Sequence, residues 1–215
     1  MSSVKTYLYI SDAKINMFYE QLASSDVHKI GAEYGVDVKL FKWVGHRETE
    51  TLITQQAKLQ RVLEFLRTSK EVGIPSHPLR YFSGALTMSW GVPVGNSPLT
   101  AVIFTSVTAN DVILLAGSIS HIVGHPKVFT EFLSPSYLAG LYEVFRDNID
   151  SSSLNAPVQD ANQQLFWEVV ALARKFNGVR QNVEFVAKTH MYGTFEGGSS
   201  SMNVLIGSPI YVAEA

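Results

Sequence analysis

Two glycines, two hydroxyls and two imidazoles fall within one short stretch, Gly117-Ser118-Ile119-Ser120-His121-Ile122-Val123-Gly124-His125. Histidine can act as acid, base or metal ligand near neutral pH. Serine becomes a nucleophile only with a base within hydrogen-bond reach. His121 and Ser118 are therefore the catalytic candidates, with Ser120 and His125 as ligand-binding candidates beside them. If a strand ran through to His121, Ser118 and Ser120 would share one face and His121 the other. Ser120 and His121 would then point apart, a poor nucleophile–base pair. The alternative is a strand end whose hydroxyls bond the backbone. His121 and His125 have the helical spacing of a zinc pair, but Gly124 and Pro126 break any helix there and no Glu follows His121. No metal and no cofactor is expected.

A second group lies near the C-terminus. On a regular strand, Glu184, Lys188 and His190 share a face with Val186 and Tyr192. An acid, a base and an imidazole in a row can bind an anion or move a proton. A solvated sheet face with a cross-strand ion pair is the alternative. Two more polar residues stand near the start. Ser11 precedes a helical pattern as a cap, and Lys14 sits in that helix's first turn, where the dipole disfavours a cation.

These residues need elements to hold them. Val112 to Leu115 are apolar without alternation, which fits a strand covered on both faces. Asn110-Asp111 gives the turn before it, and Gly117 admits a bulge or a close backbone approach. Residues 82–90 show the cleanest alternation in the chain, and residues 100–107 read as the next strand. Tyr7–Ile10 and Val36–Trp43 are further strands. Helices are expected over about 12–22, from Thr49 or Thr51 to Lys70 with a Leu52, Leu59, Leu63, Leu66 stripe, from Ser134-Pro135 to Ile149, and over about 158–177 with Gly178 as a left-handed cap. The strand over 183–190 and the strand over 203–212 form a hairpin with a loop of about ten residues. Pro209 cannot donate to a ladder, so the last strand is expected to be an edge or to break there. The order is β-α-β-α-β-β-β-α-α-β-β. It predicts an α+β fold with a mixed, largely antiparallel sheet and about four helices, in one domain over 1–215.

Composition narrows the function. The chain has 215 residues, enough for one well-buried domain. It has no cysteine, so thiol catalysis, thiolate ligands and disulfides are excluded. The formal charge is −2 without a long basic run, which argues against a broad nucleic-acid surface. No apolar run reaches the ~18–20 residues of a membrane span, and residues 1–6 lack a signal-peptide pattern, so a soluble cytoplasmic protein is expected. Charged residues are only 17%, which leaves room for a face covered by a partner or a second copy. The phosphate-binding glycine motifs and the GxSxG elbow are absent.

Three fragments carry a resemblance. They are Tyr9-Ile10-Ser11-Asp12-Ala13-Lys14, Gly117-Ser118-x-x-His121-x-x-Gly124 and Gly207-Ser208-Pro209-Ile210-Tyr211-Val212-Ala213. Together the chain resembles a bacterial family of uncharacterised proteins, a domain of unknown function. The resemblance implies one intact domain and puts weight on Ser11, Lys14, Ser118 and His121. It carries over no catalytic roles. The expected function is a small-molecule binding module for a nucleotide-like or anionic ligand. A His-dependent hydrolase or transferase and a self-assembling structural protein are the alternatives.

Overall fold

A computed structural model describes residues 5–22, 54–93, 101–125, 161–197 and 200–215. They fall into two compact units, residues 12–70 and the remainder, residues 1–11 with 71–215. The expected strand over 36–43 and the expected helix over 135–149 lie outside the described residues.

In the unit 12–70, helix α1 covers residues 12–22 and helix α2 runs Gln55–Thr68. The start of α2 is fixed by Thr54, whose Oγ1 accepts from the Ala57 N–H at 3.3 Å. This cap lies C-terminal to the Thr49 or Thr51 expected from sequence. Leu59, Val62 and Leu66 form the buried face, while Phe65 is exposed.

The larger unit is built on strands β1 (Tyr7–Ile10), β2 (Val72–Gly73), β3 (Tyr81–Gly91), β4 (Ala101–Val107), β5 (Asp111–Ser118), β6 (Val179–Gly197) and β7 (Ser200–Glu214), with helix α3 (Ala161–Lys175). The α+β class and the largely antiparallel pairing agree with the sequence reading. The expected antiparallel pairings of β3 with β4 and of β4 with β5 are present, but β3 meets β4 only from Ser89 to Gly91. Its long partner is β6, paired from Tyr81 to Trp90. β5 runs parallel to β7, and β7 pairs with β6. The strands β3, β4, β5, β7 and β6 thus close into a ring, a small barrel. Closure satisfies the backbone edges that an open sheet would expose.

The apolar run of β5 is indeed covered on both faces. Ile113 and Leu115 point into the barrel with Phe82, Phe104, Phe185 and Val212. Val112, Leu114 and Ala116 point outward onto α3, against Val169, Leu172 and Ala173. Helix α3 carries its apolar residues on one stripe, which is why it lies on the sheet. Gly178 is not a left-handed cap, because the positive-φ glycines among the described residues are Gly91 and Gly124. A side chain at 178 would instead strike the Trp90 backbone carbonyl, 2.5 Å from the Cβ position.

Strand β7 departs from expectation. It lies between β6 on one side and β5 and then β1 on the other, so it is no edge. Pro209 sits between the end of the β5 pairing at Gly207 and the start of the β1 pairing at Tyr211, where its missing N–H costs no ladder bond on that side. The hairpin is also longer than read. β6 and β7 pair up to Gly197 and Ser200, so the expected ten-residue loop is mostly strand. Met191, Phe195, Met202 and Val204 pack on or beside α3 and hold that extension down.

The outer edge of the extended β6 is guarded. The Gln163 side chain on α3 donates to the Thr194 carbonyl at 3.0 Å and accepts from the Glu196 N–H at 3.4 Å. One amide thus stands in for the peptide of a neighbouring strand. Gln163→Ala is expected to cost about 1 kcal/mol and to raise self-association by exposing the edge. Sedimentation at increasing concentration checks this. Unchanged mass and unchanged stability would show that the amide does not guard the edge.

Candidate functional site

The stretch after β5 turns out of the sheet. The strand ends at Ser118, and residues Ile119–His121 form a single 3-10 turn. Ser118 caps that turn, its Oγ accepting from the Ser120 N–H at 3.3 Å, and the two hydroxyl oxygens lie 2.8 Å apart. The strand therefore does not continue to His121, and the facing argument drawn from a straight strand does not apply. The His121 ring lies edge-on against Tyr9, centroids 5.8 Å apart, at one end of the barrel interior. His125 is exposed. Among the described residues no three His, Asp or Glu side chains come together.

Ser11 is buried at 1% exposure, its N–H bonded to the Ile210 carbonyl at 2.8 Å. Lys14 belongs to the other unit, on α1. Glu184 forms an ion pair with Lys5 and accepts from the Tyr211 hydroxyl at 3.2 Å. Lys188 is exposed. Val183, Phe185 and Ala187 point inward, so Glu184 and Lys188 share the outer face of β6, as their spacing predicts.

His190 changes that pattern. The ladder pairs Thr189 with Gly207 and Met191 with Ile206, which leaves His190 as an extra residue in a β-bulge. Its Nε2 lies 2.8 Å from Ser208 Oγ, a hydroxyl at 1% exposure. Beyond the bulge the alternation is inverted. Met191 faces α3, and Tyr192 turns to the inner side, away from the row of Glu184 and Lys188. The expected shared face with Tyr192 is therefore corrected by one inserted residue.

Tyr192 turns toward a cleft of about 240 Å³ at the other end of the barrel. The cleft exists because β3 runs beside β6 from Tyr81 and meets β4 only from Ser89 onward. Leu86 of β3 and the turn at Pro75-Ser76 form one side. Ser106, Ile113 and Leu205 lie on the other, with Asp111 and Asn203 beyond them. The Tyr192 hydroxyl donates to the Ser76 carbonyl at 2.9 Å and ties the two sides together.

The polar rim is ordered strand by strand. Parallel pairing sets Asp111 of β5 beside Asn203 of β7. Asn203 Nδ2 donates to Asp111 Oδ1 at 3.0 Å, and Thr194 Oγ1 of β6 lies 3.5 Å from Asn203 Oδ1. On the far side Thr108 Oγ1 accepts from the Asp111 N–H at 3.0 Å and lies 3.5 Å from Asp111 Oδ2. The Thr108 N–H donates to the Asp111 carbonyl at 2.9 Å, which fixes the turn. A carboxylate is thereby held in place by an amide, a hydroxyl and a backbone turn, above an apolar floor.

None of the nine residues singled out from sequence lines this cleft. Sequence reading took Asp111 as a turn residue only. The available signal was Thr108 three residues before it, the spacing of a side-chain-capped turn. Nothing local announces Asn203, which reaches Asp111 only through the parallel pairing.

No helix among the described residues is long and apolar enough to cross a membrane. No curated protein and no solved structure matches the chain. A family model matches residues 5–215, and by it this chain belongs to the Family of unknown function (DUF7019).

Proposed function

We propose that this chain is a small-molecule binding module whose ligand seats in the cleft between β3 and β4. The observation that carries the reading is the Asp111–Asn203 pair, 3.0 Å apart, held at the rim of a 240 Å³ cleft with an apolar floor. Binding sites are typically concave and mostly apolar, with a few fixed polar groups that orient the ligand. Here the polar groups are fixed before any ligand arrives, which lowers the ordering cost of binding. Among the described residues the cleft lining holds no histidine, so these offer no Ser–His pair for hydrolysis. A His-dependent hydrolase would have to use the β5 end, where the Ser118 and Ser120 hydroxyls face each other.

A thermal-shift screen of amines, sugars, nucleotides and sugar phosphates separates the two places. A ligand that binds only the folded chain at 100 Kd adds about 2.7 kcal/mol. Leu86→Trp fills the cleft, and His121→Ala removes the imidazole at the β5 end. A hit lost with Leu86→Trp and kept with His121→Ala is the expected result. The opposite pattern would move the site to Ser118–His125 and overturn the cleft reading.

A further inference from the structure

We propose that the cleft selects a small primary ammonium ion carrying a compact apolar body; this rests on the reading of the cleft as a ligand site. Among the described residues that line the cleft, Asp111 is the one charged side chain, and no Lys, Arg or His accompanies it. The ion pairs among the described residues join Lys5 to Glu184 and Arg80 to Glu71, and neither reaches Asp111.

The carboxylate is half-buried and only partly served by the protein. Oδ1 accepts the Asn203 amide at 3.0 Å. Oδ2 has the Thr108 hydroxyl at 3.5 Å, beyond a good hydrogen bond. Each carboxylate oxygen can accept about two bonds, so Oδ2 keeps capacity toward the cleft. Removing a carboxylate from water is costly unless a cation or strong donors replace the water. A ligand that covers this rim must therefore bring a donor, and a charged donor makes the shorter and stronger bond.

An ammonium head offers three donors. One suits Asp111 Oδ2, and the Ser106 hydroxyl in the same cleft can accept another, while the Thr108 oxygen already accepts the Asn110 and Asp111 N–H groups. Tyr192 is the aromatic residue among the described lining residues, and an aromatic face attracts a cation. Below the rim, Leu86, Ile113 and Leu205 take the apolar body. A volume of 240 Å³ admits a single ring or a short alkyl chain and little more. By the same argument carboxylates, phosphates and nucleotides are disfavoured, since no cationic side chain among the described lining residues compensates an anion.

Three probes of nearly one shape test this on the full chain: benzylammonium, benzyl alcohol and benzoate. Amide NMR titration of the labelled wild type reads the site directly. The expected result is that benzylammonium shifts the amides of Ser106, Asp111 and Asn203, and binds about tenfold tighter than benzyl alcohol. Benzoate should leave those amides in place. Asp111→Asn, close to isosteric, should bring benzylammonium down to the level of benzyl alcohol. The probe comparison on the wild type stands even if that variant folds poorly. The ammonium class is overturned if benzyl alcohol or benzoate binds as well as benzylammonium, or if millimolar benzylammonium moves none of the three amides. Binding of benzyl alcohol or benzoate that Leu86→Trp removes would overturn the ligand class and leave the cleft as the site.

Discussion

Phe104→Ala is expected to destabilise the barrel unit by about 3–5 kcal/mol, the range for deleting a buried aromatic ring. Phe104 is fully buried. Its ring stacks on Trp90, centroids 5.7 Å apart and 15° from parallel, and meets Tyr9 edge-on at 6.1 Å. Neither neighbour can collapse into the space. Trp90 is held by its Nε1 bond to Gln181 Oε1 at 3.1 Å, and Tyr9 is tied into the β1–β7 ladder. The cavity therefore persists and adds its own cost to the lost transfer energy. For a chain of this size each kcal/mol lowers Tm by roughly 2–4 °C, so a drop of about 10 °C is expected. Phe104→Leu keeps most of the volume and should cost no more than about 1.5 kcal/mol. Urea denaturation followed by far-UV circular dichroism measures both. A loss below about 1 kcal/mol for Phe104→Ala would mean that the barrel interior is not a packed core.

Much of this core was legible in the sequence, because burial leaves a local trace. Val112 to Leu115 lack alternation, and the structure divides them between the barrel interior and α3. Residues 82–90 alternate cleanly and form most of β3. Partnership left no such trace. Period two says which face a residue takes, not which strand lies beside it. β3 pairs mainly with β6, about a hundred residues later, and that closure makes both the barrel and its cleft. The two bulges of the β6–β7 ladder were hidden for the same reason. His190 and Ile210 each add one residue to a ladder, yet neither is a glycine that would mark the place. Leu205 and Val212, on opposite parities, consequently both face inward. Tyr192, read as a neighbour of Glu184 and Lys188, faces the cleft instead. The candidate site was illegible because Asp111 and Asn203 are 92 positions apart and meet only across a parallel pair. The polar run at 117–125 drew the eye because its residues are adjacent, and adjacency in sequence says little about which groups share a cavity.

Gly117→Ala is expected to cost about 3 kcal/mol, at the upper end for overpacking. The cause is contact, not backbone conformation, since Gly117 is not among the positive-φ glycines. A Cβ at 117 would clash with the Tyr9 hydroxyl and lie 2.6 Å from Tyr9 Cζ and 2.8 Å from Cε2. Tyr9 is fully buried and wedged between the rings of Phe104 and His121, so it cannot swing aside. Gly124 supplies the contrast. Its φ is +81° with nothing within 4 Å of the Cβ position, so Gly124→Ala should cost only about 1 kcal/mol of left-handed strain. Tyr9→Phe deletes the atom nearest the new methyl group and leaves the ring in place. In the double variant the two changes should therefore couple, with a recovery of about 1 kcal/mol relative to the sum of the single losses. Recovery stays partial because Cζ and Cε2 still crowd the methyl group. Additive losses would mean that the Tyr9 hydroxyl is not what Gly117 makes room for, and the close fit between the first strand and the end of β5 would need another cause.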